Sequence, residues 1–522
     1  MKKIIALVLT AILALTCFSF AAAEELPEGY PAIIEGLDFG GQTVYIYDWW
    51  TQDDAEHSTR DPEPDEDTQK LYDYRDWLEK TYNVTIVNCA WDKGGWQESP
   101  QELANMVNDG KADELCLIII DPNFAGGPLA NGLTEAWTID LTGPQWLSSV
   151  SDFMTKDGKV YGVLAADEEP REVIFFNKKV LEDAGIDYNE LYDLQASGEW
   201  TWAKFEEYME KVRQDKDNDG IDDIWALTGN SDRLLRGCVF GNGATFFGND
   251  ENGKLCITAD SDACLRGIAQ RQEWERFMPA KADFAPDGEW NWFEGFWKQG
   301  TTAFFVGQNY EGIGNADNLM RSCDFDWGYV AFPKGPDADD YYYGAVDNIC
   351  VIPAKCYDAE TVLKLEQIYA LYTYPTPGVD ADMAWIGDKY TYADDRAVDE
   401  TMAMLRQPQH AIGNKYEVAS DRRSVDETFA MMRQPEHSVT NRTYVLDSEN
   451  NTLGSTLYWN LGSGTPAEIV AAAHDIWQFR CDVFNGDKTS DDLNEYIEEQ
   501  NRLAEEAAAA AAAEEAAETP AE

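Results

Sequence analysis

The run Leu115-Cys-Leu-Ile-Ile-Ile120 is apolar at every position and stops at Asp121-Pro122. A strand with one face in water alternates apolar and polar residues. A run without alternation needs cover on both faces, which points to a mostly parallel sheet with helices packed above and below it. The residues before it supply the other parts. Thr43-Val-Tyr-Ile-Tyr47 alternates as a strand, a charged helix is expected from about Thr68 to Tyr82, Asn83-Val-Thr-Ile-Val87 reads as a second strand, and a helix over 100–109 ends at Asp109-Gly110. Strand, helix, strand, helix, strand predicts an α/β fold. In such sheets ligands bind beyond the carboxyl ends of the strands, which puts Asp48, Trp49, Trp50 and Asp121 on a candidate binding edge.

The amino terminus sets the expected compartment. Lys2 and Lys3 precede an apolar run from Ile4 to about Phe20, followed by Ala21-Ala22-Ala23. The run is too short for a membrane span of ~20 residues with polar flanks, and the alanines fit signal-peptidase cleavage, so residues 1–23 are expected to be a signal peptide and the protein to be exported, extracellular or periplasmic. Lipid anchoring at Cys17 is disfavoured, because Ala14, Leu15 and Thr16 before it match the lipidation pattern poorly. From residue 24 onward the formal charge is −59, which repels nucleic acid and anionic lipid, and its plain meaning is solubility. Nine cysteines follow the leader without a CxxC pair, so no disulfide or zinc framework can be read from their spacing.

Asp215-Lys-Asp-Asn-Asp-Gly-Ile-Asp-Asp223 resembles a calcium loop, with carboxylates Asp215, Asp217, Asp219 and Asp223 at positions one, three, five and nine, Gly220 at the bend and Ile221 offering a backbone carbonyl. Position twelve is Ala226, which cannot supply the usual bidentate carboxylate. Two readings stand: a structural calcium ion, or a solvated acidic turn. No cofactor is required. Catalysis is not expected, since the sequence has no GxSxG elbow, HExxH or phosphate loop, and its four histidines have no nucleophile motif beside them. Aromatic residues make up 12% of the chain, enough to stack on sugar rings after a core has been built. Trp200 and Trp202 flank a helix start and read as packing, whereas Trp290, Trp292 and Trp297 could be core or site. Segments 398–410 and 425–437 repeat with a period of 27 and agree at ten of thirteen positions, which reads as a local duplication; the Ala/Glu-rich tail, 501–522, has no core of its own.

Several ordered segments resemble the family 1 extracellular solute-binding proteins, the maltodextrin-binding type. They are Gly158-Lys-Val-Tyr-Gly-Val163, Val173-Ile-Phe-Phe-Asn-Lys-Lys-Val-Leu-Glu-Asp-Ala-Gly-Ile186, Thr201-Trp-Ala-Lys-Phe205, Gly300-Thr-Thr-Ala-Phe-Phe-Val-Gly307, Trp327-Gly-Tyr-Val-Ala-Phe-Pro-Lys-Gly335 and Tyr343-Gly-Ala-Val-Asp-Asn-Ile-Cys-Val-Ile-Pro353. The resemblance spans roughly residues 40–375. It implies a two-lobed periplasmic-binding-protein-like fold of type II, with an N-terminal lobe from 24–165 and 340–375 and a C-terminal lobe from 166–339 and 376–500. It further implies capture of a sugar or oligosaccharide for the permease of an ABC importer, by a monomer without nucleic-acid partners. The alternative is a secreted carbohydrate-active or carbohydrate-anchoring surface protein. In the resembling family, loops at the positions of Trp49, Trp50, Asp121, Asn309, Tyr310, Glu311, Asp347 and Asn348 face the ligand. Adjacent residues at a strand end point to opposite faces, so one of Trp49 and Trp50 is expected in the cleft.

Overall fold

Two four-stranded sheets carry the fold of the computed structural model, which describes residues 26–379 with short interruptions, the longest at 52–59, 166–171 and 312–318, then 411–413 and most of 453–509. The leader with Cys17, Asn309, Tyr310, Asp347 and both copies of the repeat lie outside the described residues. The strands of the two sheets are β1 (Gln42–Asp48), β2 (Val84–Ala90), β3 (Leu115–Ile120), β4 (Glu172–Asn177), β5 (Trp225–Gly229), β6 (Thr302–Gln308), β7 (Trp327–Ala331) and β8 (Ile349–Val351).

The first sheet has the order β8-β3-β1-β2. β1 runs parallel to β2 and β3, with Gln42 opposite Val84 and Val44 opposite Leu115. β3 is central, and all of it past Leu115 is buried, as its unbroken apolar run requires. Its helices are amphipathic in the expected sense. α1 (Glu66–Tyr82) buries Tyr74, Leu78 and Tyr82, four residues apart on one face, and opens with Glu66 and Asp67, whose charge suits a helix amino end. α2 (Ser99–Asp109) has Pro100 in its first turn and stops at Gly110, whose φ of 66° is the left-handed cap glycine tolerates.

The chain leaves the first sheet through Val163 and enters the second at Glu172, then comes back from Ala331 to Ile349. The outward and return segments are paired: the Val163 amide donates to the Cys350 carbonyl at 3.0 Å, and the Cys350 amide to the Val163 carbonyl at 2.7 Å. β8 then joins the first sheet antiparallel to β3, with Ile349 opposite Ile120.

The second sheet has the order β7-β4-β6-β5, with β4 antiparallel to both β7 and β6 and β6 parallel to β5. β4 and β7 are buried along their whole length. Against them packs α3 (Trp202–Val212), whose N-cap Thr201 accepts from the Lys204 amide and whose buried face carries Trp202, Phe205, Tyr208, Met209 and Val212. The absence of glutamate at Lys204 leaves a single cap rather than a capping box. Trp200 is fully buried and its Nε1 donates to the Ala331 carbonyl at 2.9 Å, so this ring is packing, as its place at the helix start predicts.

A helical layer flanks the second sheet: α4 (Ser231–Phe240), α5 (Asp262–Trp274) and α6 (Trp292–Trp297). α7 (Ala359–Tyr372) returns to the first sheet's core, while α8 (Leu453–Trp459) and α9 (Pro466–Phe484) pack with α4 and α5 in a separate apolar cluster. α9 begins in a capping box between Thr465 and Glu468 and lies along the hairpin of Phe247–Asn249 and Leu255–Ile257, where Asn485 Oδ1 accepts from the Leu255 amide and Gln478 Oε1 from the Ile257 amide. No helix among the described residues is long and apolar enough to cross a membrane.

Candidate functional site

Both sheets present a polar edge where their parallel strands end. In the first, Asp121 follows β3 and Asn348 precedes β8, and because Ile120 stands opposite Ile349 the two residues share that edge; both are half-buried. Asp48 closes β1 and is already engaged, accepting from the Trp50 and Thr51 amides, the Thr51 hydroxyl and Asn88 Nδ2. The turn it holds splits the two tryptophans: Trp49 is half-buried against the first core, and Trp50 is 52% exposed with its ring edge-on to Trp49 at 4.7 Å.

In the second sheet Gln308 stands opposite Glu172, so the carboxyl end of β6 and the amino end of β4 coincide. Glu172 is fully buried and paired with Arg233 of α4 at 3.2 Å. Glu311 follows β6 with one carboxylate oxygen sealed from solvent and without a hydrogen-bond partner among the described residues. Burial raises its pKa from 4.5 to about 8, so the carboxyl is protonated at neutral pH.

Beyond the carboxyl end of β5 lies a cavity of about 400 Å³. β5 ends at Gly229, with a φ of 128° and no room for a Cβ against the Val306 backbone, and the chain turns there into α4. Asn230 caps that helix through Oδ1, accepting from the Asp232 and Arg233 amides at 3.0 and 3.2 Å. Asn230 and Ser231 form one side of the cavity floor. Arg271, near the end of α5, forms the other: it is 3% exposed, reaches the Ser231 carbonyl and is ion-paired with Glu275. Gln272 Nε2 donates to the carbonyls of Leu461 and Gly464, fastening the turn after α8 to α5 and thereby setting Tyr458 and Trp459 at the cavity wall. Burial pushes the Tyr458 phenol above its ordinary pKa, with Arg271 pulling the other way.

The walls are aromatic. Trp290 is 51% exposed and Trp459 is 58% exposed, with ring centroids 5.5 Å apart and planes inclined at 52°. Large rings left in water at the mouth of a cavity with a polar floor are suited to a ligand with apolar faces and hydroxyl edges. The described residues that line it include no histidine or cysteine. A profile of bacterial extracellular solute-binding proteins matches residues 74–370, more than half of the chain. The chain belongs to that family. Among solved structures, this solute-binding protein is similar to UspC of M. tuberculosis, at 12% identity and a TM-score of 0.50, covering 84% of this chain and 100% of that one. It is also similar to the maltose-binding periplasmic protein MalE of Listeria monocytogenes, solved in complex with maltose, at 13% identity and a TM-score of 0.51, covering 84% of this chain and 96% of that one. At such identity the likeness is one of fold, the two-lobed type II architecture. No curated protein matches the sequence.

Among the described residues, none of those expected at the cleft lines the cavity of this solute-binding protein: Trp49, Trp50, Asp121, Glu311 and Asn348 sit on the sheet edges, and Asn309, Tyr310 and Asp347 are outside the described residues. The tryptophans left open by sequence separate cleanly. Trp297 is fully buried, Trp292 is half-buried and Trp290 is exposed at the cavity. Asn230, Lys281, Tyr458 and Trp459 were not anticipated. In the acidic loop, carboxylate oxygens of Asp215, Asp217 and Asp223 lie within 4.8 Å of one another. Asp219 is not among them and accepts from the Ile221 amide, while Asp215 accepts from the amides of Asn218 and Gly220.

Proposed function

We propose that this solute-binding protein captures a sugar or short oligosaccharide outside the cytoplasm, acts as a monomer, and hands its ligand unchanged to the membrane permease of an ABC importer. The observation that carries the sugar reading is the exposed Trp290–Trp459 pair over a floor of Asn230, Ser231 and Arg271. Aromatic faces take the apolar faces of a pyranose, and amide, hydroxyl and guanidinium groups take its hydroxyls. The fold it shares with a protein solved with maltose supports the same class.

The test is thermal unfolding of the mature chain against mono- and oligosaccharides, amino acids, polyamines and peptides, followed by chromatography of the recovered ligand. A sugar at 100 times its dissociation constant should add ~2.7 kcal/mol to folded stability and be recovered intact. Stabilisation by an amino acid or peptide alone would overturn the sugar reading, and an altered product would overturn the transport reading.

For the 215–223 loop we propose a structural calcium ion. The convergence of Asp215, Asp217 and Asp223 supports it, although Ala226 leaves the last ligand position to another group.

A further inference from the structure

The cavity has one positive charge more than it uses internally. Glu275 is paired with Arg271, and Asp232, on the first turn of α4 beneath the floor, is paired with Arg236 at 2.9 Å. Lys281 also lines the cavity, on its exposed rim, and its ammonium makes no ion pair or hydrogen bond among the described residues. Its Nζ stands 5.0 Å over the ring of Trp290. The chain has 97 acidic residues for 40 lysines and arginines, so a carboxylate to pair with is the ordinary surrounding of a lysine in it, and a rim lysine held over an aromatic face instead leaves its charge directed to the cavity mouth. The net field of such a chain repels anions, so an anionic ligand needs a local cation of this kind to be held.

The geometry points to an acidic sugar as the ligand class: a glycan carrying a monoanionic group, a carboxylate or a sulfate ester, set against Lys281 while its ring stacks on Trp459. This rests on the reading of the cavity as the sugar site. One ammonium matches one negative charge; a phosphate dianion is better served by guanidinium forks or several amides, and the Arg271 guanidinium is already engaged with Glu275 and the Ser231 carbonyl.

Calorimetric titration of the mature full-length chain with an oligogalacturonate, the neutral galactan oligosaccharide of equal length and a sulfated galactan oligosaccharide tests the assignment, using wild type, Lys281→Met and Trp459→Ala at low and high salt. Wild type should bind at least one acidic glycan about fivefold or more tighter than the neutral one, the size of effect a partly exposed charge pair gives. Lys281→Met should abolish that preference, bringing the acidic and neutral glycans to equal affinity, high salt should shrink it, and Trp459→Ala should weaken all sugars alike. Whichever acidic ligand is preferred identifies the anion. Tighter binding of the neutral oligosaccharide by wild type, or a preference that survives in Lys281→Met, overturns the inference and leaves the sugar site standing. Binding of none of the three, with stabilisation by a non-sugar solute, overturns both.

Discussion

The carboxylate of Glu311 occupies the space that a side chain on Gly307 would fill: a Cβ there would collide with its Oε2. The glycine is therefore the condition for tucking an acid behind the end of β6. The acid ionises at 4.5 in an unstructured chain and holds its proton to about 8 in the fold, chiefly because burial disfavours the charge. Between those values the unfolded state has released a proton that the folded state keeps, so stability is lost as pH rises through the window, with a slope of at most about 1.4 kcal/mol per pH unit. Urea unfolding at several pH values should show this decline in wild type and a shallower one in Glu311→Gln. Gly307→Ala should destabilise at every pH. Equal slopes in wild type and Glu311→Gln would show that Glu311 titrates normally.

Glu172 and Arg233 make a second test of the same edge. Glu172 is fully buried, and the Arg233 side chain is 20% exposed. Arg233→Met strips a buried carboxylate of its cation and should cost about 3–5 kcal/mol, whereas Glu172→Gln combined with Arg233→Met should recover much of that loss. Denaturant midpoints of the single and double variants decide it; a single variant as stable as wild type would mean the charge of Glu172 is met elsewhere.

The fold was legible because local sequence and tertiary burial agree. Leu115–Ile120 can only be a strand covered on both faces, Thr201 caps the helix it precedes, and Gly110 and Gly185 stop helices with φ of 66° and 70°. The candidate cavity was not, because its walls meet only in three dimensions. Trp459 is brought to Trp290 by Gln272 gripping the Leu461 carbonyl 189 residues away, and no local pattern reports that contact. Asn230 looks in sequence like any residue after a strand; its second role, flooring a cavity while capping α4, depends on where Arg271 and Ser231 lie. The strand-end rule pointed to the edge of the first sheet and could not show that an aromatic cavity stands at the edge strand β5 of the second.

The thiols offer a check on the cores. None of the nine cysteines after the leader is in a disulfide: Cys116, Cys238, Cys264, Cys350 and Cys481 are buried, while Cys89, Cys256, Cys323 and Cys356 are half-buried. Burial pushes Cys116 up to about 12 and Cys356 to about 11, which suppresses the reactive thiolate. Alkylation without reductant should be slow and partial in the native protein and reach all nine sites on unfolding. A loss of two mass units with an unreactive pair would reveal a disulfide instead.

Calcium should raise the melting temperature of the mature protein, and chelator should reverse the gain. Asp217→Asn should remove the response, because Asp217 belongs to the converging trio. Asp219→Asn should reduce it less, since Asp219 lies outside that trio. Sugar affinity should be unchanged throughout. Identical melting with calcium and with chelator would leave the loop as a solvated turn.

The last prediction separates the two places where a sugar ring could stack. Trp50 stands exposed at the end of β1, whereas Trp290 and Trp459 stand exposed at the cavity beyond β5. In a two-lobed protein that closes on its ligand, a ring on one lobe completes a site begun on the other, so the three need not contribute equally. The cavity pair has a polar floor within reach, and Trp50 has around it the hydrogen bonds of Asp48 that fix its turn but are already spent on protein groups. Trp459→Ala and Trp290→Ala should therefore each weaken sugar binding by ~1 kcal/mol or more, and Trp50→Ala should have the smaller effect. All three rings are largely solvent-exposed, so the far-UV spectrum and melting temperature of the variants should stay close to wild type, which keeps a binding loss interpretable. If Trp50→Ala abolishes binding and Trp459→Ala does not, the ligand is seated on the first sheet's edge and the cavity beside β5 is peripheral to it.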